Sequence, residues 1–134
     1  MSLYVDTSAL LKRYVAEPDS DVFRDYLLAD LSWITGRHTE VETRRNLERL
    51  LVGGGLARAK QTFDSDWARM NVVELDAMVC GMAGDIAEIT QARTLDALHL
   101  AAAQRVGSGT LPLLTADLRQ AQVARSMGWT VLGV

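Results

Sequence analysis

The chain has 134 residues with a formal net charge of −3, and 49% of its residues are hydrophobic. That is enough to bury a core without staples, so a single domain over residues 1–134 is expected, and a disulfide scaffold is excluded because Cys80 is the one cysteine. No run approaches the ~20 apolar residues of a membrane span and no leader precedes the first apolar run, so a cytoplasmic protein with no membrane partner is expected.

The first element is the apolar run Leu3 to Val5, read as a buried strand that stops on Asp6, Thr7 and Ser8. Asp6 has two readings at this point: a helix N-cap, or a ligand at a strand tip, where α/β folds place their sites. A helix is predicted from Ala9 to Val15, and a second, opened by Pro18, to about Leu28. Further strands are predicted at Leu31 to Thr35, Val72 to Leu75, Leu111 to Leu114 and Thr130 to Leu132. The segments between them have helical periodicity: His38 to Val52, ended by Gly53 to Gly55, then Leu56 to Met70, Asp76 to Ile89, Thr94 to Val106 and Asp117 to Met127. Alternating strands and helices imply an α/β fold, with a mostly parallel central sheet flanked by helices on both faces.

Three acids fall at matching places. "LPLLTADLRQA" repeats the opening arrangement, putting Asp117 after an apolar strand as Asp6 follows the first. In a parallel sheet both strand ends reach the same edge. Asp96 is the acid of "RTLDALHLAAAQ", a helix rich in Ala and Leu, and it also has Arg93 within reach as an ion-pair partner. A fourth acid comes from "RHTEVETRRNL", where Glu40 and Glu42 point to opposite sides and the helical wheel leaves the choice open. Bare carboxylates crowded together repel. One of Asp6, Asp96 and Asp117 should therefore have a raised pKa, and Asp96→Asn should melt higher than the parent without metal. Hard, oxygen-preferring cations relieve such crowding, which points to Mg²⁺ or Mn²⁺ rather than zinc.

The motifs "YVDTSALLKRYVAEP", "TEVETRRNL", "RTLDALHLAAA" and "LLTADLRQAQVARSMGW" together resemble PIN-domain ribonucleases, and more closely the VapC-type toxins of bacterial toxin–antitoxin pairs. The resemblance runs the length of the chain. It implies a PIN-like domain and an Mg²⁺- or Mn²⁺-dependent endoribonuclease. Its ions would be held by Asp6, Glu42, Asp96 and Asp117, with Thr7, Ser8 and Thr115 as pocket hydroxyls. The family's middle Glu stands three residues before an Arg and five before a Leu, and Glu42, with Arg45 and Leu47, matches. Gly36 departs from the pattern, standing where Ser is common. The resemblance also implies a homodimer, an RNA substrate and inhibition by a VapB-type antitoxin. The alternative is a catalytically silent PIN-like module that binds RNA or protein, which usually lacks one of the acids.

The remaining candidates have plainer readings. Arg44, Arg45 and Arg49 form an RNA rim or a solvated helix face. Trp33, Trp67 and Trp129 are expected in core or dimer packing, His99 in the core, His38 at the surface, and Cys80 as a buried inert thiol.

Overall fold

The computed structural model describes residues 2–107 and 110–134. Five strands form one sheet: β1 (Ser2–Val5), β2 (Ser32–Gly36), β3 (Asn71–Val73), β4 (Leu113–Leu114) and β5 (Val131–Leu132). Their order is β3-β2-β1-β4-β5 and every pairing is parallel. The helices are α1 (Thr7–Leu11), α2 (Ser20–Ala29), α3 (His38–Leu50), α4 (Gly53–Trp67), α5 (Ala77–Thr90), α6 (Thr94–Gly107) and α7 (Leu118–Ser126). None of them is long and apolar enough to cross a membrane.

Side chains alternate across a strand, so the sheet divides the core in two. Tyr4 and Leu113 point into the layer made by α5, α6 and α7, where Val79, Ile86 and Leu100 are buried. Leu3, Val5 and Leu114 point the other way, onto Leu10, Phe23, Leu27, Leu47 and Phe63 of α1 to α4. The alanines of α6 (Ala97, Ala101 and Ala102) are at most 1% exposed and let that helix lie close to the sheet.

Four expectations are corrected. α1 ends at Leu11 rather than Val15, because Arg13 and Tyr14 turn out to reach Asp66 on α4, at 2.7 and 2.6 Å. Gly53 to Gly55 do not merely end α3. Gly53, with φ of 58°, turns the chain, and the triplet forms the first turn of α4. Cys80 is exposed, since α5 buries the stripe Val79, Ala83 and Ile86 and position 80 lies a third of a turn off it. His38 is buried, at 8% exposure, for a reason given below. The tryptophans do pack as expected: Trp33 is buried with its indole N–H donating to the Leu27 carbonyl at 3.0 Å, and Trp67 and Trp129 lie against the two core layers.

Asp66 is the most buried ion pair partner of the molecule described, 1% exposed at its side chain and held by Arg13 and Tyr14. Removing one partner of such a pair strands the other. Asp66→Ala should lower stability in urea by about 3 kcal/mol, at the low end for buried pairs because Arg13 keeps some contact with water. A loss below about 1 kcal/mol would show that the pair is not holding α1 to α4.

Candidate active site

The chain runs outward from β1 through β2 to β3, then returns to β4 on the other side of β1. β1 and β4 therefore form the switch point of the sheet, where α/β folds open a crevice beyond the strand ends. The register Val5↔Leu114 carries both strands to the same edge. There a cleft of about 380 Å³ is lined by Asp6, Ser8, Glu42, Arg93, Asp96 and Asp117, among others.

Each acid is held by its own device. Asp6 caps α1, accepting from the Ala9 N–H at 3.0 Å and from the Ser8 hydroxyl at 2.7 Å, while Thr115 donates to its second oxygen. It is 3% exposed; it is a helix cap, as the first reading has it, and it also lines the cleft. Burial pushes its carboxyl above the usual range, and the charge of His99 and the bonds from Thr115, Ser8 and Ala9 only partly offset this. Thr115 and Ser8 also bridge the two strand ends, through Ser8 Oγ accepting from the Ala116 N–H at 3.0 Å.

Glu42 and Glu40 part company on α3. The helix buries His38, Thr39, Thr43 and Leu47, a stripe that is mostly polar, and this turns Glu42 toward the cleft. Glu40 instead lies 3.8 Å from Arg37. Glu42 Oε1 accepts from the Thr7 hydroxyl at 2.7 Å and stands 3.1 Å from His99 Nε2. Burial alone would raise its pKa, but the bond and charge of His99, the Thr7 hydroxyl and the charge of His38 outweigh that and hold it low.

Asp96, in the first turn of α6, and Asp117, the N-cap of α7, are joined by Arg93. The guanidinium donates to Asp96 Oδ2 at 2.8 Å and to Asp117 Oδ2 at 2.7 Å. Asp117 Oδ1 accepts from the Arg119 and Gln120 N–H groups at 2.8 and 3.3 Å. Partial burial raises its pKa, and the cap bonds and Arg93 more than reverse this, holding it below its usual value. The expected repulsion around Asp96 is thus relieved by Arg93, and Asp96→Asn would break an ion pair rather than raise the melting point. Among the described residues, three metal-ligating side chains whose donor atoms lie within 4.8 Å of one another are His38, Glu42 and His99, whereas Asp6, Asp96 and Asp117 do not close to that spacing.

His99 was expected in the core and is there, at 3% exposure, but it also lines the cleft. Its Nδ1 meets the Tyr4 hydroxyl at 2.9 Å. Arg93, Asn46 and His99 are cleft residues that sequence reasoning gave no site role; their signal was placement one turn from Asp96 or Glu42. Of the expected rim, Arg44 and Arg45 line a separate cavity of about 470 Å³ with Lys60 and Phe63. Arg49 donates to Asn46, which borders the acid cleft, at 2.9 Å.

The model of the PIN domain family matches residues 3–126. The chain belongs to the PIN-domain family. It is 34% identical over 134 residues to Ribonuclease VapC46 of Mycobacterium tuberculosis, across 98% of this chain and 96% of the relative. To Ribonuclease VapC47 of the same species it is 31% identical over 131 residues, across 95% and 93%. The fold is shared with FitAcB of Neisseria gonorrhoeae (TM-score 0.71, 18% identity, 99% of this chain and 97% of that one). It is also shared with Mycobacterium tuberculosis VapC20, described as a sarcin-ricin loop cleaving toxin (TM-score 0.70, 17% identity, 90% and 93%).

The buried His38 sets a pH dependence. Burial and the neighbouring charge of His99 lower its pKa from 6.5 to about 4, and Glu42 restores only part of the loss. Between those values the unfolded chain binds the proton and the folded one does not. Stability from the neutral ring is therefore complete above pH 6.5 and is lost as pH falls toward 4. Asp6, with its raised pKa, acts in the opposite sense, so the comparison must be with a variant. His38→Gln should lose less stability between pH 7 and 4.5 than the parent, by about 2 kcal/mol in urea titrations. Parallel pH profiles would show that the imidazole is charged in the folded protein.

Proposed function

We propose that this chain is a metal-dependent endoribonuclease, the toxin of a type II toxin–antitoxin pair. The observation that carries the reading is the gathering of Asp6, Glu42, Asp96 and Asp117 along one cleft, in a PIN-domain chain about a third identical to curated ribonucleases. A silent module usually lacks one of these acids, and all four are present here.

The donor set fits a hard divalent ion. The cleft offers carboxylate and hydroxyl oxygens, and the cationic Arg93 already sits between Asp96 and Asp117, marking that pair as a place that takes positive charge. In this reading Asp6 and Asp96 hold Mg²⁺ or Mn²⁺, with Glu42 and Asp117 completing the site. Such an ion supplies Lewis acidity toward a phosphodiester and a water acidic enough to attack at neutral pH. The chain's own residues do the rest. Thr115, Ser8 and the Ala9 N–H fix the Asp6 carboxylate in one rotamer. His99 and Thr7 keep Glu42 ionised, able to take a proton from an attacking water. Arg93 is half exposed and free to turn from the acids to a phosphate oxygen.

Arg44, Arg45 and Arg49 supply phosphate contacts to the RNA along α3. A VapB-type antitoxin blocks the same cleft, and a cationic side chain from it would compete for the carboxylates as Arg93 does. Toxin–antitoxin assemblies such as that from Klebsiella pneumoniae share the fold (TM-score 0.66).

Asp6→Asn, Asp96→Asn and Glu42→Gln should each cut RNA cleavage by about 10²-fold or more, with circular dichroism unchanged. Glu40→Gln should cleave like the parent. EDTA should abolish cleavage and Mg²⁺ or Mn²⁺ restore it. Cleavage surviving EDTA, or a dead Glu40→Gln with an active Glu42→Gln, would overturn the assignment.

A further inference from the structure

Beside the acid cleft lies a second donor set of different chemistry. His38 and Glu42 are one turn apart on α3, and His99 reaches them from α6. His99 Nε2 is 3.1 Å and His38 Nε2 3.8 Å from Glu42 Oε1, and the imidazole centroids are 4.0 Å apart. Ligands ~2.0–2.1 Å from a tetrahedral zinc ion stand roughly 3.4 Å from one another; the two distances to Glu42 Oε1 bracket that value, and the donor atoms of all three residues lie within 4.8 Å of one another.

The His38 ring is the decisive member. It is 8% exposed, a main-chain contact at Leu95 is its one polar support, and neither nitrogen meets a side-chain partner within hydrogen-bond distance. A buried imidazole so weakly satisfied is costly and calls for an explanation. The sequence has also made room for it. A Cβ at Gly36 would stand 2.6 Å from His38 Cε1 and 2.7 Å from Nδ1, so a serine there would push the ring away. Gly36 and His38 are thus a matched pair, and the missing side chain at position 36 is what admits the ring. His99 is oriented from behind by the Tyr4 hydroxyl on Nδ1, the outer-shell support that leaves Nε2 for a metal.

We propose that His38, Glu42 and His99 bind a zinc-class divalent ion, a site distinct in its donors from the acid cleft. Two imidazoles and one carboxylate select zinc, cobalt or nickel over magnesium. The ion enters through the cleft, which Glu42 and His99 both line. It replaces the Thr7 hydroxyl, now 2.7 Å from Glu42 Oε1 and 3.2 Å from His99 Nε2. Because Glu42 is shared, an ion held here withdraws that carboxylate from the cleft. This consequence rests on the role proposed for Glu42 above; the site itself does not.

The test is titration of metal-stripped protein with Zn²⁺ alone and with Mn²⁺ alone, by calorimetry, in a Cys80→Ser background that removes the exposed thiol. Zn²⁺ should bind one ion per chain, and His38→Ala should weaken it by at least about tenfold while leaving Mn²⁺ binding in place. Asp96→Asn should show the reverse, with Zn²⁺ affinity kept and Mn²⁺ affinity lost. Failure of the Mn²⁺ half alone would count against the cleft reading and not against this site. Co²⁺ gives a measurement that needs no variant: the parent protein should develop the visible bands of nitrogen-ligated cobalt. Zn²⁺ affinity equal within twofold in the parent and His38→Ala, or Co²⁺ without those bands, overturns the proposal.

Discussion

Four carboxylates share one cleft, and like charges taken partly out of water repel unless each finds a compensating group. The rest of the site is arranged around that constraint. Asp6 is held by hydrogen bonds from Ser8, Ala9 and Thr115, and its burial, rather than a neighbouring acid, keeps its pKa raised. Glu42 is compensated by Thr7 and His99, and Asp96 and Asp117 by the one guanidinium of Arg93. None of these devices is a rigid bond. The walls of the cleft are set instead by the β1–β4 pairing and by the caps of α1 and α7.

The same arrangement links fold to chemistry. The outward run β1-β2-β3 and the return to β4 create a crevice only where the direction reverses. Asp6 and Asp117 follow the two strands that border it. The close packing of the alanine-rich face of α6 brings Asp96 to the same edge. α3 completes the wall with a stripe of threonines, Thr39 and Thr43, packed where a core helix would ordinarily place leucine. Thr35 and Thr39 share a hydrogen bond of 2.7 Å, and Thr35 donates to the Val5 carbonyl at 2.7 Å, so these two hydroxyls are satisfied inside the protein, whereas the buried Thr43 hydroxyl has no partner among the described residues.

Much of this was legible from the residues. The repeated strand-then-Asp arrangement at Asp6 and Asp117 anticipated two sides of the cleft, and the apolar runs anticipated all five strands within a residue or two. What was not legible has physical causes. A helical wheel weighted by apolar residues cannot choose between Glu40 and Glu42, because the buried stripe of α3 is polar; the motif spacing chose instead. His38 looks like a surface residue until the space left by Gly36, two residues away, is seen. Arg93 reads as a local partner of Asp96, and its second bond, to Asp117, spans 24 positions in the chain. The glycines at 53 to 55 read as a stop because propensity disfavours them in helices, but the stripe Ala59, Phe63 and Asp66 carries α4 through them.

In the function proposed above, the acid cleft takes a hard divalent ion at the place where Arg93 now neutralises Asp96 and Asp117. Anomalous diffraction at the manganese edge, from crystals grown with Mn²⁺, tests this most directly. A peak bounded by the carboxylates of Asp6, Asp96 and Asp117, with the guanidinium of Arg93 moved away from at least one acid, is the predicted result. A peak away from these three residues, or a cleft free of manganese with Arg93 still bridging Asp96 and Asp117 at saturating Mn²⁺, would contradict it.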